Sequence, residues 1–430
     1  MPPHPQLSWI PHSIAAASTP LLALSIFVII QLSSLLSPTM RPTSDAFTTR
    51  LLPVSLIRDG DFYLDEFSTH DPVKDTYLFW RSRDGHLVSG YPIGTAIVAT
   101  PFYAIPVLTG WIDESDHLWS LSRFIALIFT SVFTVMIFFL ARRWLPELPS
   151  AGLALLSFFG TNMWSIASQD LWQHGLVSVF LLYALLLFSS PTRGTPRSLF
   201  LLGLALGGSV LTRYSTVVFL LPFFVVAVWR YQWKVMWVVF GAVFPAAIFI
   251  AYAHAIFGWP AEHGLLYGYD LWVGPSLGRV LGIWISPSRG LLWFSPFFFF
   301  SLVGFWVAWK KTRDGVLRDS VFVSVAVLLL STLLYGSWYS WEGAGSFGPR
   351  MTIETIPFLM LGLILGIRYG LLRSPSHRIL FILLAGLSVT THLIGATQFD
   401  YEWQSLVGSR DVEPWLFRDG QLWFFYSRVL

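Results

Sequence analysis

The chain has 430 residues, of which 54% are hydrophobic and only 12% are charged, whereas a soluble protein of this size carries roughly a quarter charged residues. This composition excludes a soluble globular domain and indicates a polytopic membrane protein. The sequence has no cysteine and a net charge of +3, which excludes disulfide frameworks and thiolate metal sites and gives no indication of a nucleic-acid partner.

Apolar runs close to the length of about 20 residues that crosses a bilayer occur eleven times. The first is too long for a signal peptide and lacks a small-residue cleavage site, so we predict a retained helix. Segment 91–111 is apolar too, but Pro101 and Pro106 interrupt a straight helix, and we predict that it lies along the outer membrane surface. The predicted spans are 14–36, 117–141, 149–166, 171–190, 197–212, 214–230, 235–257, 291–309, 320–337, 353–372 and 378–396.

Alternate loops between these runs are basic, and the positive-inside rule places basic loops in the cytoplasm. We therefore predict a cytoplasmic N-terminus, one membrane domain over 1–396 with its first external loop at 38–116, and a short external tail at 397–430. Of the 24 acidic residues, only Glu147, Asp314 and Asp319 fall on the predicted cytoplasmic side. The outer face is therefore expected to carry the chemistry.

The first external loop is acidic directly after the first run. A carboxylate such as Asp45, about eight residues past the membrane exit, can act as a general base toward an acceptor hydroxyl, or it can be a solvated loop residue or a helix N-cap. The sequence "DGD" at 59–61 is typical of a turn and is also compatible with a metal site. The acidic residues are Asp45, Asp59, Asp61, Asp65 and Glu66.

Four arginines are candidates for binding an anionic substrate. Arg289 in "SPSRG" and Arg350 in "SFGPRM" lie in predicted external loops that dip toward the membrane. A guanidinium fork matches a phosphate diester, although an arginine here can equally anchor a helix end. Arg123, at the head of a predicted span, and Arg213, between two short apolar runs, are weaker candidates, because a charge there must be paired or water-exposed.

Aromatic residues accompany polar ones at two further external positions. Asp170 and His174 bracket Trp172, where they can either bind a substrate or cap a helix. The stretch "WYSWE" at 338–342 includes Trp341 and Glu342. Flat aromatic faces beside a carboxylate are typical of a sugar-binding platform, but interfacial aromatic belts have the same composition.

The order of motifs in roughly the first 145 residues resembles the integral-membrane GT-C glycosyltransferases, in particular the branch with protein O-mannosyltransferases and lipid A aminoarabinose transferases. Asp45, Gly60-Asp61, Tyr91-Pro92-Ile93-Gly94 and Arg123 carry the resemblance. It implies an all-α polytopic bundle of about eleven transmembrane helices, with amphipathic surface helices in the first external loop. It also implies an enzyme that moves a sugar from a polyprenyl-phosphate carrier to an acceptor on the extracytoplasmic face of a bacterial inner membrane.

The resemblance makes Asp45 the expected catalytic base. This sequence differs from those relatives at three positions. Ala46 stands where they often have Glu, and Thr95 stands where they often have Lys. Arg50 follows Asp45 by five residues, whereas the corresponding Arg in relatives often follows by three. The donor phosphate must then be bound elsewhere. The expected phosphate ligands are Arg289, Arg350 and Arg123; the expected substrate contacts are Asp61, Tyr91, His174, Trp341 and Glu342.

Several points stay open at this stage. The sugar and the acceptor (a lipid, a glycan or a protein) are not specified, and a divalent metal is not favoured because the acidic stretch 45–66 itself contains no histidine. An O-antigen polymerase or ligase would use the external arginines without the first-loop Asp. A lipid-linked sugar flippase or transporter would place ionisable residues in mid-span, whereas here nearly all lie at loop ends, which favours an enzyme.

Overall fold

The computed structural model describes residues 12–37, 43–68, 78–112, 115–258, 271–343, 345–400, 402–403 and 415–429. These residues form an almost entirely helical bundle, and all eleven predicted apolar runs coincide with helix. The helices are α1 (His12–Leu32), α2 (Phe47–Arg58), α3 (Gly94–Leu108), α4 (Ser115–Arg142), α5 (Glu147–Phe159), α6 (Gln173–Phe188), α7 (Pro196–Thr212), α8 (Val217–Tyr231), α9 (Met236–Phe257), α10 (Leu277–Ile285), α11 (Leu291–Phe294), α12 (Phe299–Lys311), α13 (Gly315–Gly336), α14 (Ile356–Arg368), α15 (Pro375–Gln398) and α16 (Gln421–Val429).

Within the described residues, six helical stretches are long and apolar enough to cross a membrane. One of them, Tyr214–Phe257, contains both α8 and α9. Four shorter apolar helices, α3, α5, α6 and α7, have 10–17 residues. The chain is thus a multi-pass membrane protein, as its composition predicts, while the count of eleven crossings stays a prediction.

The first predicted external loop is a compact unit. It consists of α2, α3 and a two-stranded antiparallel hairpin of β1 (Phe79–Arg81) and β2 (Leu87–Ser89), in which Phe79 is paired with Ser89. In α3 the residues Ala96, Ala99, Tyr103 and Val107 are buried at helical spacing, so this face packs against the rest of the unit. Within the segment 91–111, α3 is the helix that the sequence predicts.

Small residues allow several helices to approach at backbone distance. A Cβ atom at Gly203 in α7 would lie 1.9 Å from the carbonyl oxygen of Val238 in α9, and one at Gly241 in α9 would lie equally close to Phe200 O in α7. Such contacts are typical of membrane bundles, where association depends on close packing. They fix α7 against α9 and thereby fix Arg213, which follows α7.

Ion pairs hold the bundle at one end. Asp319, near the start of α13, accepts hydrogen bonds from Arg193 (2.6 Å) and from both Arg230 Nε (2.9 Å) and Arg230 Nη2 (2.8 Å). Tyr335, near the other end of α13, lies sixteen residues further on, or about 24 Å along a helix axis. The two ends of α13 therefore have separate polar environments.

Candidate active site

The cavity with the most charged lining lies at the Tyr335 end of α13. It has a volume of about 170 Å³ and is bounded by the first-loop unit, the beginning of α6, the end of α7 and the short 3₁₀ helix Arg350–Thr355. Its aromatic walls are Tyr91, Trp172, Trp272, Tyr335 and Trp338, and its ionisable residues include Asp45, His174, Arg213 and Arg350.

Asp45 and Arg350 form an ion pair across this cavity although 305 residues separate them. Both side chains are mostly buried, at 17% and 12% exposure, respectively. The guanidinium of Arg350 also lies 4.9 Å from the ring centre of Trp172, a favourable cation–π arrangement. A carboxylate and a guanidinium thus lie together in one small cavity that is largely shielded from solvent.

The local sequence explains the position of Asp45. Thr43 is the N-cap of the 3₁₀ helix Ser44–Ala46, and its hydroxyl accepts a hydrogen bond from the backbone N–H of Asp45 (3.3 Å). Asp45 itself lies inside this 3₁₀ helix, and Ala46 occupies the N-cap position of α2 without a side-chain cap. Asp45 is therefore the N-cap residue of neither helix, and its carboxylate faces the cavity.

A second, fully buried ion pair supports this turn. Arg50 Nη1 lies 3.4 Å from Asp170 Oδ2. Arg50 Nη2 donates to the carbonyl of Thr43 (3.1 Å), and Asp170 accepts from the N–H of Thr43 (3.0 Å) and from Ser122 Oγ (3.0 Å). Arg50 and Asp170 thus fix both backbone groups of the residue that caps the Asp45 helix.

Arg213 is held beside Arg350 by a buried polar network. Its Nε lies 3.2 Å from Glu354 Oε1 and 3.3 Å from the Tyr335 hydroxyl. The same Glu354 oxygen lies 2.7 Å from His174 Nδ1, and Glu354 is fully buried. Burial alone would lower the pKa of Arg213, but Tyr335 and Glu354 outweigh it and raise that pKa above its ordinary value. Arg213 is therefore a permanent cation at the cavity wall.

The structure brings together four of the sequence-predicted site residues, Asp45, Tyr91, His174 and Arg350, and adds Arg213, which was a weaker candidate. It also adds Glu354, which sequence reasoning missed. Glu354 lies in the 3₁₀ helix Arg350–Thr355, at the beginning of the predicted span 353–372. A carboxylate inside a predicted span is costly unless it is paired, and that was the usable signal.

The other predicted site residues lie away from the cavity lining. Asp61 accepts a hydrogen bond from the N–H of Tyr63 (2.9 Å), as in an ordinary turn. Arg123 is buried in α4 near Asp170.

Trp341 and Glu342 are also outside this cavity. Trp341 packs over Gly282, where a Cβ would lie 2.4 Å from its ring, and Glu342 accepts from Ser340 (3.0 Å). The aromatic residues of this region that reach the cavity are instead Trp338 and Trp272.

Arg289, a predicted phosphate ligand, points to backbone carbonyls instead of the cavity. It is 2% exposed, and its Nη1 donates to the carbonyl oxygens of Ser346 and Gly348. Burial lowers the pKa of Arg289 to about 9, with Glu342 raising it and Arg350 lowering it. It remains charged at neutral pH.

Metal ligands do not cluster in the part of the chain that the structure describes: no three His, Asp or Glu side chains there are placed to hold one ion. The described polar residues that line the cavity are Asp45, Tyr91, Gln173, His174, Arg213, Ser215, Tyr335 and Arg350, and Glu354 contacts Arg213 and His174.

No protein-family model matches the sequence, and no curated protein matches it at a significant level. Among solved structures, the chain is similar to ArnT from Cupriavidus metallidurans bound to undecaprenyl phosphate, with a TM-score of 0.54 and 15% identity over 89% of this chain and 75% of that one. It is also similar to the Archaeoglobus fulgidus oligosaccharyltransferase in the apo form, with a TM-score of 0.51 and 13% identity over 97% of this chain and 60% of that one. These structural similarities show a shared fold. They confirm the all-α polytopic, GT-C-like bundle that the motifs of the first loop imply.

Proposed function

We propose that this chain, built on the GT-C fold, is a membrane glycosyltransferase. It would transfer a sugar from a polyprenyl-phosphate-linked donor to an acceptor on the extracytoplasmic face of a bacterial inner membrane. The observation that carries the proposal is the pairing of Asp45 with Arg350 inside a polar cavity. The undecaprenyl phosphate bound to ArnT supports a donor of the same lipid-phosphate class here.

The two arginines of the cavity can donate hydrogen bonds to a phosphodiester. Arg350 is paired with Asp45 and Arg213 with Glu354, so the formal charges of these four side chains cancel. Each guanidinium has donors beyond those used in its pair and can offer them to phosphate oxygens. The volume of about 170 Å³ is below the roughly 300 Å³ at which pockets for drug-sized ligands begin, which favours a single sugar unit over an oligosaccharide.

The proposed reaction assigns one role to each group. The acceptor hydroxyl oxygen attacks the anomeric carbon of the donor sugar, the bond from that carbon to the phosphate oxygen breaks, and Asp45 takes the hydroxyl proton. The leaving phosphate gains a second negative charge, which Arg350 and Arg213 stabilise where it develops.

Proton uptake by Asp45 would also favour release of its arginine. A protonated Asp45 attracts Arg350 less strongly than the carboxylate does. The guanidinium then becomes more available to the phosphate at the same moment that the phosphate becomes more anionic. The direct pairing of base and phosphate ligand therefore couples the two halves of the proposed reaction.

A polymerase or ligase that uses only the arginines is the main alternative, and Asp45 distinguishes it. The test uses the purified protein in detergent, a panel of undecaprenyl-phosphate-linked monosaccharides, and an extract of bacterial envelope lipids and glycans as acceptor source. Release of undecaprenyl phosphate from one donor is expected from the wild type and is expected to be lost in Asp45→Asn. Failure of the wild type to bind undecaprenyl phosphate and to consume any donor would contradict the proposal.

A further inference from the structure

The loop directly before Arg350 is held by side chains from distant parts of the chain. Asn162 Nδ2 donates to the carbonyl of Phe347 (2.8 Å), and the N–H of Gly348 donates to Gln421 Oε1 (2.6 Å). Gly348 has a φ of +72°, a conformation that is strained for other residues. The shape of this loop therefore depends on tertiary contacts.

The side-chain amide of Gln421 forms two hydrogen bonds with backbone groups of the loop. Its amide oxygen accepts from Gly348 N, while its amide nitrogen donates to Ser346 O (3.0 Å). One side chain thus satisfies one donor and one acceptor of the loop backbone, which buried polar groups require. Gln421 is fully buried and is the first residue of α16, so it connects that helix to the loop.

Arg289 reinforces the same contact from the segment between α10 and α11. Its Nη1 donates to Ser346 O, to Gly348 O (3.2 Å) and to Gln421 Oε1 (3.2 Å). The guanidinium also lies 4.7 Å from the ring centre of Trp403. Arg289 and Gln421 therefore bind the same two loop residues and each other.

The loop is also closely packed against α11 and α15, so its residues move together. A Cβ atom at Gly348 would lie 2.6 Å from Phe294, and Phe347 lies so close to Gly395 that a Cβ there would be 2.3 Å from its ring. The N–H of Arg350 donates to Gly348 O (2.9 Å), the carbonyl that Arg289 also binds. A shift of Gly348 is therefore passed directly to Arg350.

We infer that Gln421, together with Arg289, positions Arg350 for donor phosphate binding, so that α16 is a working part of the active site although it does not line the cavity. The inference rests on the proposed function in one respect: it takes Arg350 to be a phosphate ligand. Gln421 is a positioning residue, since it acts through the loop and touches no substrate.

The first measurement needs no substrate. Hydrogen–deuterium exchange followed by mass spectrometry compares peptides covering 345–352 in the wild type, Gln421→Ala, and Gln421→Glu, which keeps the acceptor for Gly348 but loses the donor to Ser346. Gln398→Ala is the matched control, because Gln398 is exposed and bonds only its neighbour Thr397 in the contacts of the structure. We expect faster exchange of the loop in Gln421→Ala, a smaller effect in Gln421→Glu, whose carboxylate still accepts from Gly348 N–H and Arg289, and no change in the control.

The second measurement is a double-mutant cycle on the binding of undecaprenyl phosphate. Gln421→Ala is expected to weaken binding roughly tenfold, a typical effect when the outer partner of a ligating side chain is lost. In a background of Arg350→Ala, Gln421→Ala should have no further effect, because a residue that acts through Arg350 has nothing left to position. A general loss of stability would instead reduce binding by the same factor in both backgrounds.

The outcomes separate the inference from the proposed function. Unchanged loop exchange in Gln421→Ala, or equal loss of binding with and without Arg350, would overturn the inference. Wild-type binding that does not depend on Arg350 would contradict the phosphate role in the proposed function, and the positioning role would fall with it. Faster exchange together with a loss of binding that requires Arg350 would support both.

Discussion

Asp45→Asn is expected to change turnover and product binding in opposite directions. The substitution keeps the size of the side chain and removes the base, so sugar transfer should fall by roughly 10²-fold or more, as expected for loss of a positioned general base. It also removes the carboxylate that pairs with Arg350. The guanidinium is then free for the phosphate, and undecaprenyl phosphate should bind more tightly.

The size of the binding effect follows from the geometry of the pair. A phosphate on the far side of the Arg350 guanidinium lies about 8 Å from the Asp45 carboxylate, because each ion pair is about 3 Å long and the guanidinium between them is about 2 Å wide. At that distance each negative charge of the phosphate is repelled by about 2 kcal/mol at an effective dielectric constant of 20 and by about 0.5 kcal/mol in bulk water. Removing this repulsion should raise the affinity between about twofold and about thirtyfold for a phosphate with one charge, and further for a phosphate with two.

The assay measures donor turnover and undecaprenyl phosphate affinity on the same preparations. Asp61→Asn is the matched control, because it removes one charge from the same loop, and its turn contact with Tyr63 N–H survives in an asparagine. It should change neither quantity. Normal turnover in Asp45→Asn, or weaker binding of undecaprenyl phosphate, would refute the reasoning.

Three further outcomes are expected. Arg350→Lys should weaken undecaprenyl phosphate binding in an equilibrium assay, because an ammonium cannot contact Asp45 and two phosphate oxygens as a planar fork does; unaltered affinity would exclude Arg350 as a ligand. Glu354→Gln should lower the free energy of unfolding by about 3 kcal/mol, the lower end for breaking a buried pair, since Arg213 retains Tyr335; thermal unfolding in detergent measures this, and a stability equal to wild type would contradict it. Gly315→Cys, in a chain without other cysteines, should react with an impermeant thiol reagent only after the membrane is opened, because residue 315 is predicted to be cytoplasmic. Labelling of this cysteine in intact cells would contradict the predicted topology.

Hydropathy was enough to predict the long apolar helices, because a bilayer demands long apolar segments whatever their partners are. The eleven apolar runs and the helix within 91–111 all correspond to helix in the structure, whereas α10 and α16 were not predicted. The order of the first-loop motifs selected Asp45, and chemical type selected Arg350. Their pairing across 305 residues was not predictable, since it depends on how the first loop packs on the bundle.

Side-chain direction in irregular segments separates the predicted residues that line the cavity from those that do not. Arg289 was selected because it is an arginine in an external loop, and it donates to backbone carbonyls of another loop. The stretch 338–342 was selected by composition, and within it Trp338, but not Trp341, lines the cavity. Composition specifies which groups are present, and only the turns between helices determine where they point.

The glycine contacts between α7 and α9 have a consequence for product release. Gly203 and Gly241 place the two backbones so close that neither helix can slide or rotate against the other without a collision. The end of α9 is in turn bonded to the hairpin of the first loop, where the N–H of Arg83 donates to Ile256 O (2.9 Å). Arg213 therefore belongs to a stiff frame that reaches from the bundle to the loop, and in the proposed reaction the spent lipid carrier would leave through rearrangement of side chains while α7 and α9 keep their positions.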